Sequence, residues 1–129
     1  MEWRRTYSGV IWKDIGVSML VHEFVLANSN EISNSVSYNL TKTAPCVKIA
    51  DSVIVNNHDF LSSFKTYWWH MGNVHSGLNY YGITIIPNES LKQFIDILMK
   101  NDNRNDIRQL LDLCMTAVMQ NKNIVHFGI

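Results

Sequence analysis

Trp68-Trp69-His70, with His75 just beyond and His58 just before, is the densest run of side chains in the chain that could bind or react. Tryptophan is enriched at binding hot spots because its ring offers a large, stiff contact surface with one polar N–H. On a helix, adjacent tryptophans project about 100° apart, so one can face the core while the other turns toward solvent. The alternative is that both rings sit at a helix–sheet boundary with their N–H groups satisfied. The histidines raise a metal site or an acid–base pair. Catalytic zinc takes three protein ligands, commonly with two histidines one helical turn apart. His70 and His75 lack that spacing and Gly72 lies between them, so no metal is expected and loop-bracing or exposed imidazoles are the default. His126, inside an apolar terminal run, is expected to hydrogen-bond within a sheet.

Other chemistry has less support. Ser76 in His75-Ser76-Gly77 lacks the strand–turn–helix setting of a nucleophile elbow. Gly72, Gly77 and Gly82 match neither a dinucleotide fingerprint nor a P-loop. A small hydrolase built on His70 or His75 therefore has no motif behind it, and neither a catalytic residue nor a cofactor is expected. Basic and acidic residues balance at 11 each, which leaves no global field for nucleic acid or anionic lipid. Arg4-Arg5 and the Arg104 to Arg108 region are too sparse for a nucleic-acid groove.

The elements that must position these residues belong to one domain, since 129 residues can support a single core. Lys13, Asp14, His22 and Glu23 interrupt the early apolar run, so neither a secretion signal nor a membrane span of about 18 apolar residues is expected. Cys46 and Cys114 have no paired spacing and read as reduced, core-like thiols. Together these features predict a cytoplasmic protein. Residues 1–45 are the least legible; β-branched residues favour strands at Gly9 to Ile11 and Val21 to Ala27. The Ser- and Asn-rich stretch from Asn28 to Asn39 reads as a loop with one short helical turn. Cys46 to Ile49 and Ser52 to Val55 read as a hairpin.

Phe60, Leu61, Phe64, Tyr67, Trp68 and Met71 recur at helical spacing, which predicts a helix from Asp59 to His70 ended by Gly72. Leu78 to Ile86 reads as an inner strand, with Gly82 marking a bulge or a close backbone approach and Pro87 stopping it. Asn88, or Ser90 with Gln93, would cap the next helix. Leu91, Phe94, Ile95, Leu98 and Met99 form its apolar stripe, and Ile107, Leu110, Leu111, Cys114, Ala117 and Val118 form that of a second helix capped by Asn105. Ile124 to Ile129 closes the chain as a strand. The fold class that follows is α+β, a small, mostly antiparallel sheet with about three helices packed on it.

His75 to Leu91, HSGLNYYGITIIPNESL, resembles the core of a bacterial immunity-protein family from contact-dependent growth inhibition systems. Gly77-Leu78, Tyr80-Tyr81-Gly82, the β-branched run Ile83 to Ile86, Pro87 and Glu89-Ser90-Leu91 match its pattern. Asn79 stands where a small residue is common and Asn88 where a second proline is common. Asn121 to Ile129 is similar too, so the resemblance spans the C-terminal half. It implies a cytoplasmic protein that binds a cognate toxin domain, a nuclease being one kind, and blocks its active site or substrate access without catalysis. The partner-binding residues would then be Trp68, Trp69, His70, Asn73, His75, Asn79 and Tyr81. The alternative is a ligand-binding module, or a homodimer whose seam uses the same aromatics.

Overall fold

The computed structural model describes residues 20–32, 46–101 and 103–129; the strand expected at Gly9 to Ile11 and the later part of the Asn28 to Asn39 loop lie outside them. Strands β1 (Val21–Ala27), β2 (Cys46–Ala50), β3 (Lys65–Trp68), β4 (Val74–Ser76), β5 (Ile83–Ile86) and β6 (Asn123–Phe127) form one sheet. Its order is β2-β1-β6-β5-β3-β4 and each neighbouring pair is antiparallel. The C-terminal strand β6 is central because it can be buried on both faces, and every residue from Asn123 to Phe127 is. β5, Ile-Thr-Ile-Ile, is equally buried. Such doubly covered strands read as continuous apolar runs rather than as alternation.

Helices α1 (Asp51–Val55), α2 (Asp59–Ser62), α3 (Leu91–Met99) and α4 (Asn105–Gln120) complete the α+β fold. One sheet face sends Phe24, Ile49, Ile86 and Ile124 into a core with Phe60, Phe94, Leu98, Leu110 and Cys114. The opposite face buries Val25, Ile83, Ile85, Val125 and Phe127 as a second cluster. Phe94 lies between the rings of Phe24, Phe60 and Phe64, at centroid distances of 5.9, 6.2 and 5.1 Å, and burying each such ring stabilises the fold by about 2–3 kcal/mol. α4 ends where Asn121 adopts a left-handed conformation (φ 53°, ψ 46°), letting Lys122 N–H donate to the Ala117 carbonyl at 2.8 Å.

Several expectations are corrected. The helix expected over Asp59 to His70 stops at Ser62. The Ser62 and Ser63 hydroxyls donate to the His58 and Asp59 carbonyls, a local alternative that weakens helix propagation, and Lys65 to Trp68 pairs instead with β4 and β5. Gly72 therefore lies in the β3–β4 turn rather than at a helix end. The Cys46–Val55 hairpin is also absent: β2 pairs with the distant β1, and Ser52 to Val55 falls within α1. Of the long strand expected from Leu78, only Ile83–Ile86 enters the sheet. In α3 the stripe is rotated, with Ile97 buried and Met99 exposed, and in α4 Leu113 is buried while Val118 is exposed.

Asn88 caps a different helix from the one expected. Its side-chain N–H groups donate to the Ala117 and Lys122 carbonyls at the end of α4, and its backbone N–H donates to Asn123 Oδ1. Ser90 makes no side-chain cap to α3. Cys46 and Cys114 are both free, the first exposed and the second buried, so only Cys114 is core-like.

Candidate functional site

The candidate residues all lie on the β3–β4 hairpin or on the Gly77–Gly82 loop that follows it, and they form two groups. In the first, Trp68 stacks flat on His75, with centroids 3.8 Å apart and planes within 5°. That contact is diagonal across the pair, because Thr66 is opposite His75 and side chains two apart share a face. Trp68 Nε1–H and the buried Thr66 hydroxyl both donate to the Gly77 carbonyl, at 3.0 and 2.6 Å. Asn73 Nδ2–H donates to the Trp68 carbonyl. Trp68, Asn73 and His75 thus brace the hairpin more than they present a surface.

Trp69, Asn79 and Tyr81 form the second group, gathered at Gly82. Trp69 has φ 71°, a conformation that side chains other than glycine adopt at a cost, and it is fixed there by its N–H donating to the Ile83 carbonyl at 3.0 Å. The Trp69 ring and the Asn79 amide close over Gly82 so tightly that a Cβ on Gly82 would lie 2.4 and 2.5 Å from them. This is the close approach that the glycine implied. Trp69 is 43% exposed and Tyr81 76% exposed. His70, also exposed, accepts the Gly72 N–H on Nδ1 at 3.2 Å and so braces the turn.

The loop that carries Asn79 and Tyr81 is pinned at both ends. Gly77 (φ 70°) packs against the Leu61 backbone with no room for a Cβ, its N–H donates to the Phe64 carbonyl at 2.7 Å, and Leu78 N–H donates to the Phe60 carbonyl. At the other end Gly128 N–H donates to the Gly82 carbonyl and Ile129 N–H to the Tyr80 carbonyl.

Beneath the loop runs a buried polar chain that sequence reasoning missed apart from His126. His22 Nε2 is 2.9 Å from Asp51 Oδ1, His22 Nδ1 is 2.8 Å from His126 Nε2, and His126 Nδ1 is 3.1 Å from Thr84 Oγ1. Thr84 Oγ1 accepts the Asn79 N–H at 2.6 Å. His22, Thr84 and His126 are fully buried and Asp51 nearly so. Burial lowers the pKa of His22 against the opposing pull of Asp51, and lowers that of His126 well below its ordinary value, with the neighbouring His22 adding to the effect. Both rings are therefore neutral at pH 7.

Neutrality fixes every proton in the chain. An ionised Asp51 can only accept, so His22 carries its hydrogen on Nε2 and Nδ1 becomes an acceptor. His126 must then donate from Nε2 and accept on Nδ1. Thr84 donates its hydroxyl hydrogen to that nitrogen and uses a lone pair for Asn79 N–H. Tyr80 joins at the acidic end, its phenol pushed up to about 12 first by its hydrogen bond to Asp51 and then by burial. All bonds thus point one way, from the loop backbone to the carboxylate, an arrangement in which each bond polarises the next.

This chain has a signal in the sequence, though a weak one: His22, Thr84 and His126 are polar interruptions in apolar strand runs. Register aligns Thr84 with His126, and His126 with Phe24, a long-range fact that local pattern does not carry. A cavity of about 220 Å3 lies elsewhere, lined by Ser52, Asn56, Asn57, Asn101 and Arg104, with Arg104 already tied to Asp106 by a two-pronged contact. Among the described residues no group of three or more His, Cys, Asp or Glu side chains is arranged to hold a metal ion, and no helix is long and apolar enough to cross a membrane. Comparison with known proteins found no matching family model, no matching curated protein and no matching solved structure.

Proposed function

We propose that this chain is an immunity protein that binds a cognate toxin domain and neutralises it by occluding its active site or substrate access. The observation that carries the reading is Trp69, an exposed indole held in one backbone conformation over Gly82, the residue that follows exposed Tyr81. An anchor fixed before binding loses little freedom on association, which is how a small contact surface reaches useful affinity. The resemblance of His75 to Leu91 to the immunity family supplies the class of partner. Trp69, Tyr81, Asn79 and His70 form the contact in this reading, with Trp68, Asn73 and His75 bracing it from behind. The protein acts by binding and works in the cytoplasm, where the toxin's target is. Co-expression with a polymorphic-toxin domain encoded next to this gene, which the reading requires, tests it: co-purification and rescue of growth are expected, whereas no such neighbour, or no complex and no rescue, would refute it.

A second reading, self-association, is favoured by the outer side of α4, where Met115, Val118 and Met119 are exposed, Met119 by 85%. Light scattering on purified protein separates the two, since a dimer that persists at low micromolar concentration and is lost on Met119→Lys supports the second.

A further inference from the structure

The one-way chain beneath the loop has a second arrangement, and a single proton selects it. In the neutral arrangement Thr84 O–H donates to His126 Nδ1, His126 Nε2–H to His22 Nδ1, and His22 Nε2–H to Asp51. A proton arriving from water at His126 Nδ1 lets the Nε2 proton pass to His22 Nδ1. The positive charge then rests on His22, directly against Asp51. His126 now donates from Nδ1 and accepts on Nε2, and only protons have moved. The consequence falls on Thr84, whose hydroxyl hydrogen loses its acceptor inside a fully buried site. Its oxygen is left to accept from both His126 and Asn79. A buried hydroxyl without an acceptor is unfavourable, and the bond that can yield is the one to the Asn79 backbone, because the histidines are held in paired central strands.

We propose that the Asp51–His22–His126–Thr84 chain is an acid-released clasp: uptake of one proton by the histidine pair reverses the chain and frees the Gly77–Gly82 loop from β5, so the Trp69–Tyr81 surface keeps one form only while the pair is neutral. The surroundings favour a single proton. α1 contributes Asp51 and the loop contributes Tyr80, on which Tyr81 stands edge-on. The buried face of α4 offers only the Cys114 thiol, which burial pushes up to about 12 and so keeps uncharged. The buried faces of α2 and α3 carry no titratable group. Glu23 and Lys48, paired across β1 and β2, lie on the opposite sheet face from His22. Lys65 and Tyr67 of β3 likewise alternate away from Thr66 and Trp68, while His75 lies beyond Thr84 on the far side of Trp68. Asp51 is thus the one carboxylate beside the pair among the described residues, and a second proton would set like charges on stacked rings with centroids 5.0 Å apart.

The clasp is independent of which partner the surface meets, and it is tested on the free protein. Ring nitrogen chemical shifts of His22 and His126, the Asn79 amide and the exchange of the Asn79 and Gly128 amides would be followed from pH 8 to 4.5. One transition below pH 6.5 is expected in which His22 becomes the imidazolium as His126 passes from its Nε2–H to its Nδ1–H tautomer, Asn79 shifts with the same midpoint, and its exchange, corrected for intrinsic pH dependence, accelerates at least tenfold while the helical signal of α4 persists. Rings that titrate without any change at Asn79 overturn the clasp, as does a single unfolding step that takes α4 with it. Thr84→Val, which keeps shape and removes the relay atom, should leave Asn79 exchange fast and free of the transition, with Thr84→Ser restoring it. A Thr84→Val protein that keeps the wild-type Asn79 transition contradicts the mechanism.

Discussion

His22 shows why a polar side chain belongs in this core. It joins Asp51 to His126, and replacing it by phenylalanine would leave a buried carboxylate and an imidazole without their shared partner. His22→Phe is expected to lower the unfolding free energy by about 2–3 kcal/mol, read from urea denaturation, and a change below a few tenths would show that the chain contributes nothing net. Gly77 is constrained by geometry rather than by polarity. With φ 70° and the Leu61 carbonyl carbon 2.1 Å from the position of a Cβ, Gly77→Ala forces both an unfavourable backbone and a collision. A loss of at least about 2 kcal/mol is expected, whereas a fully stable variant would mean that the loop is not seated on α2.

Among the elements, those whose pattern is local were legible. β1 was bounded correctly at Val21 and Ala27, and β6 was placed to within two residues at each end, because β-branched and apolar runs mark them. α3 and α4 followed from their apolar stripes, apart from the rotation that buries Ile97 and exposes Met99. The stretch from Asp59 to His70 was not legible: Phe60 and Phe64 stay buried at helical spacing, yet the chain turns to strand between Phe64 and Lys65 because β4 and β5 offer pairing that no local window contains. The candidate site divides the same way. Trp69 and Tyr81 were visible as conspicuous aromatics, whereas Asp51, Thr84 and Tyr80 depend on register between distant strands. Phe94, ringed by Phe24, Phe60 and Phe64, ties α3 to both the sheet and α2. Phe94→Ala should cost about 3–5 kcal/mol, measurable by denaturation, and a cost near 1 would mean that the site collapses around the change.

For the whole molecule, the two depressed histidines set the direction of pH dependence. In the unfolded chain they titrate near pH 6.5, and in the fold their affinity for protons is lower. Above pH 6.5 neither state binds these protons and stability is at its full value. As pH falls below 6.5 the unfolded state takes them up first, so stability declines until the folded pKa values are reached. The urea midpoint should be lower at pH 5.5 than at pH 7.5, and less so in His126→Phe; a higher midpoint in acid would reverse the assignment of both rings as neutral.

At this scale the protein is a sheet stiffened by a polar chain, with one corner holding Trp69 and Tyr81 outward. Titration calorimetry of a toxin domain, the partner class proposed above, into wild-type protein and into Trp69→Ala, beside thermal unfolding of both, tests that picture most directly. Binding weakened at least tenfold with a melting temperature shifted by no more than about 4 °C, or roughly 1 kcal/mol, is the predicted result. Unchanged affinity, or a loss of stability as large as the loss of binding free energy, would contradict it.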